Sequence, residues 1–365
     1  MRIVHLITHV RLGVGRAIAD LAVHQASRAG HEVLVVIADD AEGGWRSDPA
    51  LLEELRGAGV AVRAAGDFFH RHAARLGEAA VRLREIVGAW DERTVVHSHT
   101  APGIAVARWS GARRVLATCH GWSLDRPAEY LLQDALAFSL ADAIVSPSTY
   151  WAERVAALPG QPQVDVIPYG FDLSRYRGLV PKTEVRAAAR IACVGELTAR
   201  KGQDVLLEAM PGVWEALPQA ELHLFGDGDL RPALEARLRA LDPPRCRVFL
   251  HGHVSAAYRR LPEYDLLVLP TRSDNQPVAI VEAMLAGLPI VSTTVGGIPE
   301  MIDQAACGET VPPEEPAALA AGVLDVLARA DLAAMAARGR SFASATYDVA
   351  RSAAVHQPLY DGVTW

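Results

Sequence analysis

At 365 residues, 50% hydrophobic and 22% charged, the chain has the size and composition of two ordinary globular domains, which excludes a disordered tail or a coiled coil. A net charge of −7 argues against a general nucleic-acid binder, and no apolar run approaches the roughly 18 residues of a membrane span. Cys119, Cys193, Cys246 and Cys307 stand far apart with no paired spacing, against a disulfide framework or a structural zinc site, and the start MRIVHLITHV lacks a signal-peptide profile, so a soluble cytoplasmic protein is expected.

Strand-like runs alternate with amphipathic helical stretches along the chain. The pattern predicts strands over Arg2–Thr8, Glu32–Ala38, Val60–Arg63, Thr94–His97, Val115–Cys119, Ala143–Ser146 and Val164–Ile167. Helical patterns lie between them at Arg16–Arg28, Pro49–Arg56, Ala73–Val87, Ala128–Leu140 and Thr149–Ala157. A stretch without clear periodicity, Leu173–Ala189, contains Lys182 and reads as a linker. The rhythm then resumes with strands over Arg190–Val194, Glu221–Phe225, Arg247–His251, Leu266–Pro270 and Leu288–Ser292. Pro211-Gly212 predicts a break in the helical pattern Gln203–Leu217. Such alternation implies α/β architecture: two doubly wound, Rossmann-like domains with parallel sheets. The expected division is 1–172, a linker 173–189, a second domain 190–345, and a C-terminal helix 346–365 packing back towards the first domain. Ligands of such sheets sit beyond the carboxyl ends of the strands, so the active cleft is expected between the two domains.

Three segments carry chemistry. In Leu12-Gly13-Val14-Gly15-Arg16, between the first strand and helix, Gly13 and Gly15 let backbone approach a phosphate or an acceptor hydroxyl, or simply make a tight turn. The dinucleotide fingerprint is incomplete, which disfavours a dehydrogenase. In Gly195–Gly202, Arg200 and Lys201 place two cations at a helix amino terminus, where the dipole disfavours them unless a polyanion binds. Lys201 is one of two lysines among 36 basic residues. In Pro270–Met284, a polar loop carrying Asp274 and Gln276 leads to Pro277, read as the first residue of a helix. The N–H groups at its start, around Val278, can hold phosphate oxygens. Glu282, one turn beyond Val278, can accept both hydroxyls of a ribose. Gly226-Asp227-Gly228 and the turn at Gly252 could let backbone approach a base, or be plain turns. His97, His99 and His120 close strands of the first domain.

In these segments the chain resembles the retaining glycosyltransferases of family 4, which have the GT-B fold. The motifs are the glycine loop, His99, His120-Gly121, Ser146-Pro147-Ser148, Val166–Asp172, Lys201-Gly202, Gly226-Asp227-Gly228, Glu282-Ala283-Met284 and Val295–Glu300. The resemblance implies that Lys201 and a nearby arginine bind the donor diphosphate, Glu282 the ribose, and that His120 lies near the reacting sugar. It implies His120, Asp274 and Lys201 as catalytic residues. Gly13, Gly15, Arg200, Gly226, Gly252, Gln276, Pro277 and Val278 join Lys201 and Glu282 around the donor, and Arg16, His99 and Trp122 lie on the acceptor side. Two positions depart from the family: Asp274 replaces the first Glu of the Glu-x7-Glu pattern, and Glu196 replaces an arginine whose charge Arg200 is expected to supply.

The implied reaction is hexosyl transfer from a UDP-sugar, UDP-N-acetylglucosamine or UDP-glucose first, to a small-molecule hydroxyl such as that of an aminocyclitol. No cofactor or metal is expected, and a monomer or weak dimer is. The first 175 residues hold 18 arginines against 20 acidic residues, so peripheral membrane contact through Phe68–Trp90 (Arg71, Arg75, Arg82, Arg84) is the less favoured option. A lipid-linked acceptor, a UDP-sugar epimerase and a nucleotide-sensing module are the rivals.

Overall fold

The apolar, β-branched runs become strands buried on both faces, as parallel sheets require. The protein is described by a computed structural model over residues 1–38, 47–68, 72–121, 127–181, 188–241 and 247–362. Two compact units are present: Met1–Asp172 with the chain from Tyr347 onward, and Leu173–Thr346.

The first unit alternates β1 (Arg2–Ile7), α1 (Leu12–Ser27), β2 (Glu32–Ile37), α2 (Pro49–Gly57), β3 (Ala61–Ala64), α3 (Ala73–Val87) and β4 (Thr94–Ser98). It continues with α4 (Ala101–Ser110), β5 (Val115–Thr118), α5 (Ala128–Phe138), β6 (Ala143–Ser146), α6 (Thr149–Ala156) and β7 (Val164–Val166). Its seven strands are parallel in the order β3-β2-β1-β4-β5-β6-β7. The second unit runs β8 (Arg190–Val194), α7 (Gln203–Ala216), β9 (Glu221–Phe225), α8 (Arg231–Leu241), β10 (Val248–Gly252), β11 (Leu266–Leu269) and α9 (Val278–Ala286). Then come β12 (Ile290–Thr293), α10 (Ile298–Ala305), β13 (Gly308–Val311), α11 (Pro316–Leu327) and α12 (Leu332–Thr346). Its six strands are parallel in the order β10-β9-β8-β11-β12-β13. In both sheets the order reverses beside the first strand, the topology of a doubly wound fold.

The last helix, α13 (Val349–Asp361), belongs to the first unit. Leu359 and Tyr360 pack with Ile3, Val95, Leu116, Val145 and Ile167. Backbone bonds from Phe171 to Tyr347 (2.9 Å) and from Val349 to Phe171 (3.0 Å) fix its entry. Gly170 is required there, since a Cβ would stand 2.6 Å from Val349 Cα. The described part of 173–189 belongs to the second unit rather than to a free connection: Tyr176 is buried, with its ring tilted against Tyr258 at 4.7 Å between centroids. Lys182 lies outside the described residues.

Several local expectations are corrected. Gly13 and Gly15 are not in a loop; they form the first turn of α1, which starts at Leu12. Neither has positive φ. Gly15 is small because a Cβ would come 2.9 Å from the Val10 carbonyl carbon. Helix α7 runs unbroken through Pro211. Leu206, Leu207, Met210, Val213 and Trp214 on either side of the proline are buried, and this burial, worth roughly 1.5–3 kcal/mol per large side chain, outweighs the lost hydrogen bond. Pro277 is the residue preceding α9 rather than its first residue. Helix α4 is not among the helices expected from the pattern, and it holds Pro102 and Gly103 in its first turn. In the structure Thr100 caps it by accepting from Gly103 N–H, and a Cβ at Gly103 would meet Ser98 Oγ at 2.6 Å.

Candidate functional site

In the second unit the loops after β8 and β11 are stitched together. Arg272 N–H and Thr271 Oγ1 both donate to the Arg200 carbonyl, at 2.8 and 2.9 Å. The Arg272 guanidinium forks onto Asp204 with two bonds of 2.9 Å, reaches Glu314 at 2.9 Å, and donates to the Ala199 carbonyl at 2.5 Å. This hold on Arg272 is the main cause of a lowered Asp204 pKa. Gly202, at φ 69°, completes the junction, because a Cβ there would lie 2.0 Å from the Pro270 carbonyl oxygen. The result places Arg200 and Lys201, in a short 3₁₀ turn ahead of α7, next to Asp274.

Asp274 takes both cations. Lys201 Nζ donates to its carboxylate, and Arg200 Nη1 lies 3.5 Å away while also donating to the Ser273 carbonyl at 3.0 Å. The Lys201 and Asp274 side chains are each 14% exposed, and Arg200 is 45% exposed. The positive charge that the sequence left unmatched at a helix start therefore has a carboxylate partner here. Asn275 and Gln276 are buried, and the Gly297 N–H donates to the Asn275 carbonyl at 3.0 Å.

No side chain caps the start of α9, so the N–H groups around Val278 keep their anion-binding capacity. Glu282 is half-buried on the same helix, and burial pushes its carboxyl up to about 7. Among the described residues it has no hydrogen-bond or ion-pair partner. A carboxylate left short of donors can accept two vicinal hydroxyls. Gly226, at φ 147°, abuts the Gly195 carbonyl, where a Cβ would lie 1.9 Å from the oxygen, and it bonds Gly252 across β9 and β10 at 2.8 Å. Both glycines therefore have a structural duty at the strand ends.

In the first unit, Arg16 is ion-paired with Asp20 (2.6 Å) and Glu54 (2.7 Å), which leaves its charge neutralised within the fold. His120 is half-buried, and burial lowers its pKa to about 4. Its Nδ1 lies 2.7 Å from the Tyr169 hydroxyl and its Nε2 lies 3.2 Å from His99 Nδ1. His99 is 7% exposed and sits behind His120 against His5. A cavity of about 30 Å³, room for about one water, lies beside His97, His99, Thr118, His120, Tyr169 and His356. Trp122 lies outside the described residues. The sequence pointed to Lys201, Glu282 and His120, and to Tyr169 only as a member of the Val166–Asp172 motif, but not to Arg272, Gln25 or Tyr360. A histidine inside an apolar strand, as at His5, was the available signal for the buried row.

Two family profiles match the chain: "Glycosyltransferase Family 4" over residues 12–175 and "Glycosyl transferases group 1" over residues 188–329. The chain belongs to glycosyltransferase family 4. It is 29% identical over 296 residues to a GDP-mannose-dependent phosphatidylinositol monomannoside mannosyltransferase of Mycolicibacterium smegmatis, covering 72% of this chain and 75% of that one. It is 27% identical over 291 residues to a D-inositol 3-phosphate glycosyltransferase of Segniliparus rotundus, covering 67% and 64%. Among solved structures, Anabaena HepE in complex with UDP superposes with a TM-score of 0.79 at 18% identity, over 100% of both chains. The two Rossmann-like units are those of the GT-B fold, and the protein is a nucleotide-sugar glycosyltransferase.

Proposed function

We propose that this glycosyltransferase moves a hexosyl group from a nucleoside diphosphate sugar to an acceptor hydroxyl with retention at the anomeric carbon. The observation that carries the reading is the grouping of Lys201, Arg200 and the uncapped start of α9 with an unpartnered carboxyl, Glu282. In this reading the cations and helix N–H groups stabilise the charge that grows on the leaving diphosphate, and Glu282 holds the ribose. Gly226 and Gly252 flank the base, and Asp274 and His120 meet the transferred sugar. The anomeric carbon–phosphate oxygen bond breaks as the bond to the acceptor oxygen forms. The acceptor proton passes to the leaving phosphate oxygen. Arg16 is not assigned to the acceptor, since Asp20 and Glu54 already hold it.

UDP-N-acetylglucosamine and UDP-glucose are the first donors of this reading, with a small-molecule acceptor. A second reading, GDP-mannose with a lipid-linked acceptor, is favoured by an apolar stripe on the first unit. Leu132 and Leu136 are 62% and 61% exposed on one face of α5, with Leu140 beyond its end and Trp109 on α4. The relatives named for phosphatidylinositol mannosides point the same way.

A thermal-shift panel of UDP, GDP, ADP and TDP with their sugars separates the donors, because the bound ligand raises the apparent melting temperature. Turnover with the selected donor, followed by NMR of the product, should show the donor's own anomeric configuration. Inversion, or an altered sugar formed from donor alone, would overturn the assignment. Flotation with anionic vesicles decides between the two acceptor classes.

A further inference from the structure

Four histidines including His120, a glutamine and two tyrosines form one row of hydrogen bonds that starts at Tyr169 and ends on Thr118. Gln25 sets its sense, because one end of an amide only donates and the other only accepts. Gln25 Nε2 donates to the Tyr360 hydroxyl at 3.0 Å, and Gln25 Oε1 lies 2.7 Å from His5 Nε2. With the amide in this orientation, His5 carries its proton on Nε2, and its Nδ1 accepts from His99 Nε2 at 3.0 Å. His99 Nδ1 then accepts from His120 Nε2, and His120 Nδ1 accepts from the Tyr169 hydroxyl. On the other limb, Tyr360 donates to His97 Nδ1 at 2.8 Å, and His97 Nε2 donates to Thr118 Oγ1 at 2.6 Å. All seven bonds run in one direction, and turning the Gln25 amide end for end would reverse them all. The same row explains why His5, His97 and His99 crowd within 4.8 Å: each of their ring nitrogens already has a protein partner.

We infer that Gln25, His5 and His99 are positioning residues that fix His120 as its neutral Nε2–H tautomer, with Nδ1 accepting from Tyr169, so that an uncharged ring and not an imidazolium stands beside the reacting sugar. The inference rests on the sugar-side role of His120 proposed above. A transition state with positive charge on the sugar is tolerated beside a neutral ring and opposed by an imidazolium. The groups around His120 are His5 and His99 of the sheet, His97 beside them, Tyr169, and His356 and Tyr360 of α13. Among the described residues, no carboxylate or cation makes one of these ring contacts. Burial, which holds His5 and His356 at about 4 as well, keeps the row uncharged at neutral pH.

The test is nitrogen NMR of the full chain labelled at histidine. The wild type should show His120 with a protonated Nε2 and an unprotonated Nδ1; the opposite tautomer would overturn the inference without any variant. Gln25→Leu should mix the two tautomers at His120, and an unchanged spectrum in the folded variant would also overturn it. Gln25→Glu places a carboxylate beside His5 and raises the row's proton affinity. Its kcat should fall roughly tenfold between pH 7.5 and 6, where the wild type stays level. His99→Phe should lower kcat about 10-fold to 100-fold with little change in donor KM, the loss expected of an outer partner. His99→Gln, which keeps an acceptor, should recover part of it. A tautomer that responds to Gln25 while kcat does not would keep the row and refute the sugar-side role of His120.

Discussion

Glu282 shows how a single residue links burial, charge and ligand. Its carboxyl is raised from 4.5 to about 7 by burial, so the folded protein holds that proton more tightly than the unfolded chain. The stability it contributes is fully present below pH 4.5 and is lost as the pH rises through 7. Glu282→Gln should therefore raise the stability at pH 8 by about 2 kcal/mol and change nothing at pH 4, as denaturant melts at the two values would show. Ribose hydroxyls favour the ionised carboxylate, so nucleotide affinity should increase from pH 6 to 8 in the wild type and stay constant in Glu282→Gln. Calorimetry giving equal slopes would remove Glu282 from the ribose. Lys201→Ala should lower kcat by roughly 10²–10³, the loss typical of one preorganised donor, and near-normal turnover would remove its role. Lys201, Asp274 and Glu282 were legible because their neighbours in sequence carry the pattern. The pairing of Arg16 was not visible in the sequence because its partner Glu54 comes from another helix, α2. Single histidines of the row were visible in the sequence, but not their connection, since it depends on β1 pairing with β4 so that His5 stands opposite His97.

At the scale of elements, alternating periodicity located most strands to within a residue or two, and failed where local chemistry contradicts the tertiary setting. Pro211 and the Pro102-Gly103 pair look like breaks, yet burial carries α7 through the first and close packing on Ser98 keeps α4 at the second. Glycine sorts in the same way. Gly296, at φ 57°, would put a Cβ 1.7 Å from the Asp274 carbonyl oxygen, so Gly296→Ala must strain the backbone that positions Asp274. It should cost more than about 1 kcal/mol and weaken donor binding. Gly77 sits inside α3 with nothing near its Cβ position, and Gly77→Ala should stabilise by about 0.5–1 kcal/mol. Melting the two variants side by side checks the distinction; a similar loss in both would contradict it.

At the scale of the whole molecule, burial in the first unit lowers the pKa of His5, His97, His99, His120 and His356 from 6.5, to about 4 for His5, His120 and His356. The unfolded chain takes up their protons as the pH falls below 6.5, whereas the folded chain resists until about 4. Stability is therefore complete above 6.5 and drops steeply towards 4, by up to about 1.4 kcal/mol per pH unit for each histidine. Denaturation midpoints that are equal at pH 7.5 and 5 would contradict this. The doubly wound architecture was legible because strand–helix alternation fixes it. The return of α13 to the first unit rests on a helical pattern whose apolar side meets residues from four strands and Ile167 just after β7, contacts that no local window contains. The central claim, that the second unit grips the diphosphate of an activated sugar, is tested most directly by a crystal structure with a nucleoside diphosphate bound. The account predicts diphosphate oxygens within hydrogen-bond reach of Lys201 and the first turn of α9, with both ribose hydroxyls on Glu282. A nucleotide seated elsewhere, with Lys201 still closed on Asp274, would contradict it.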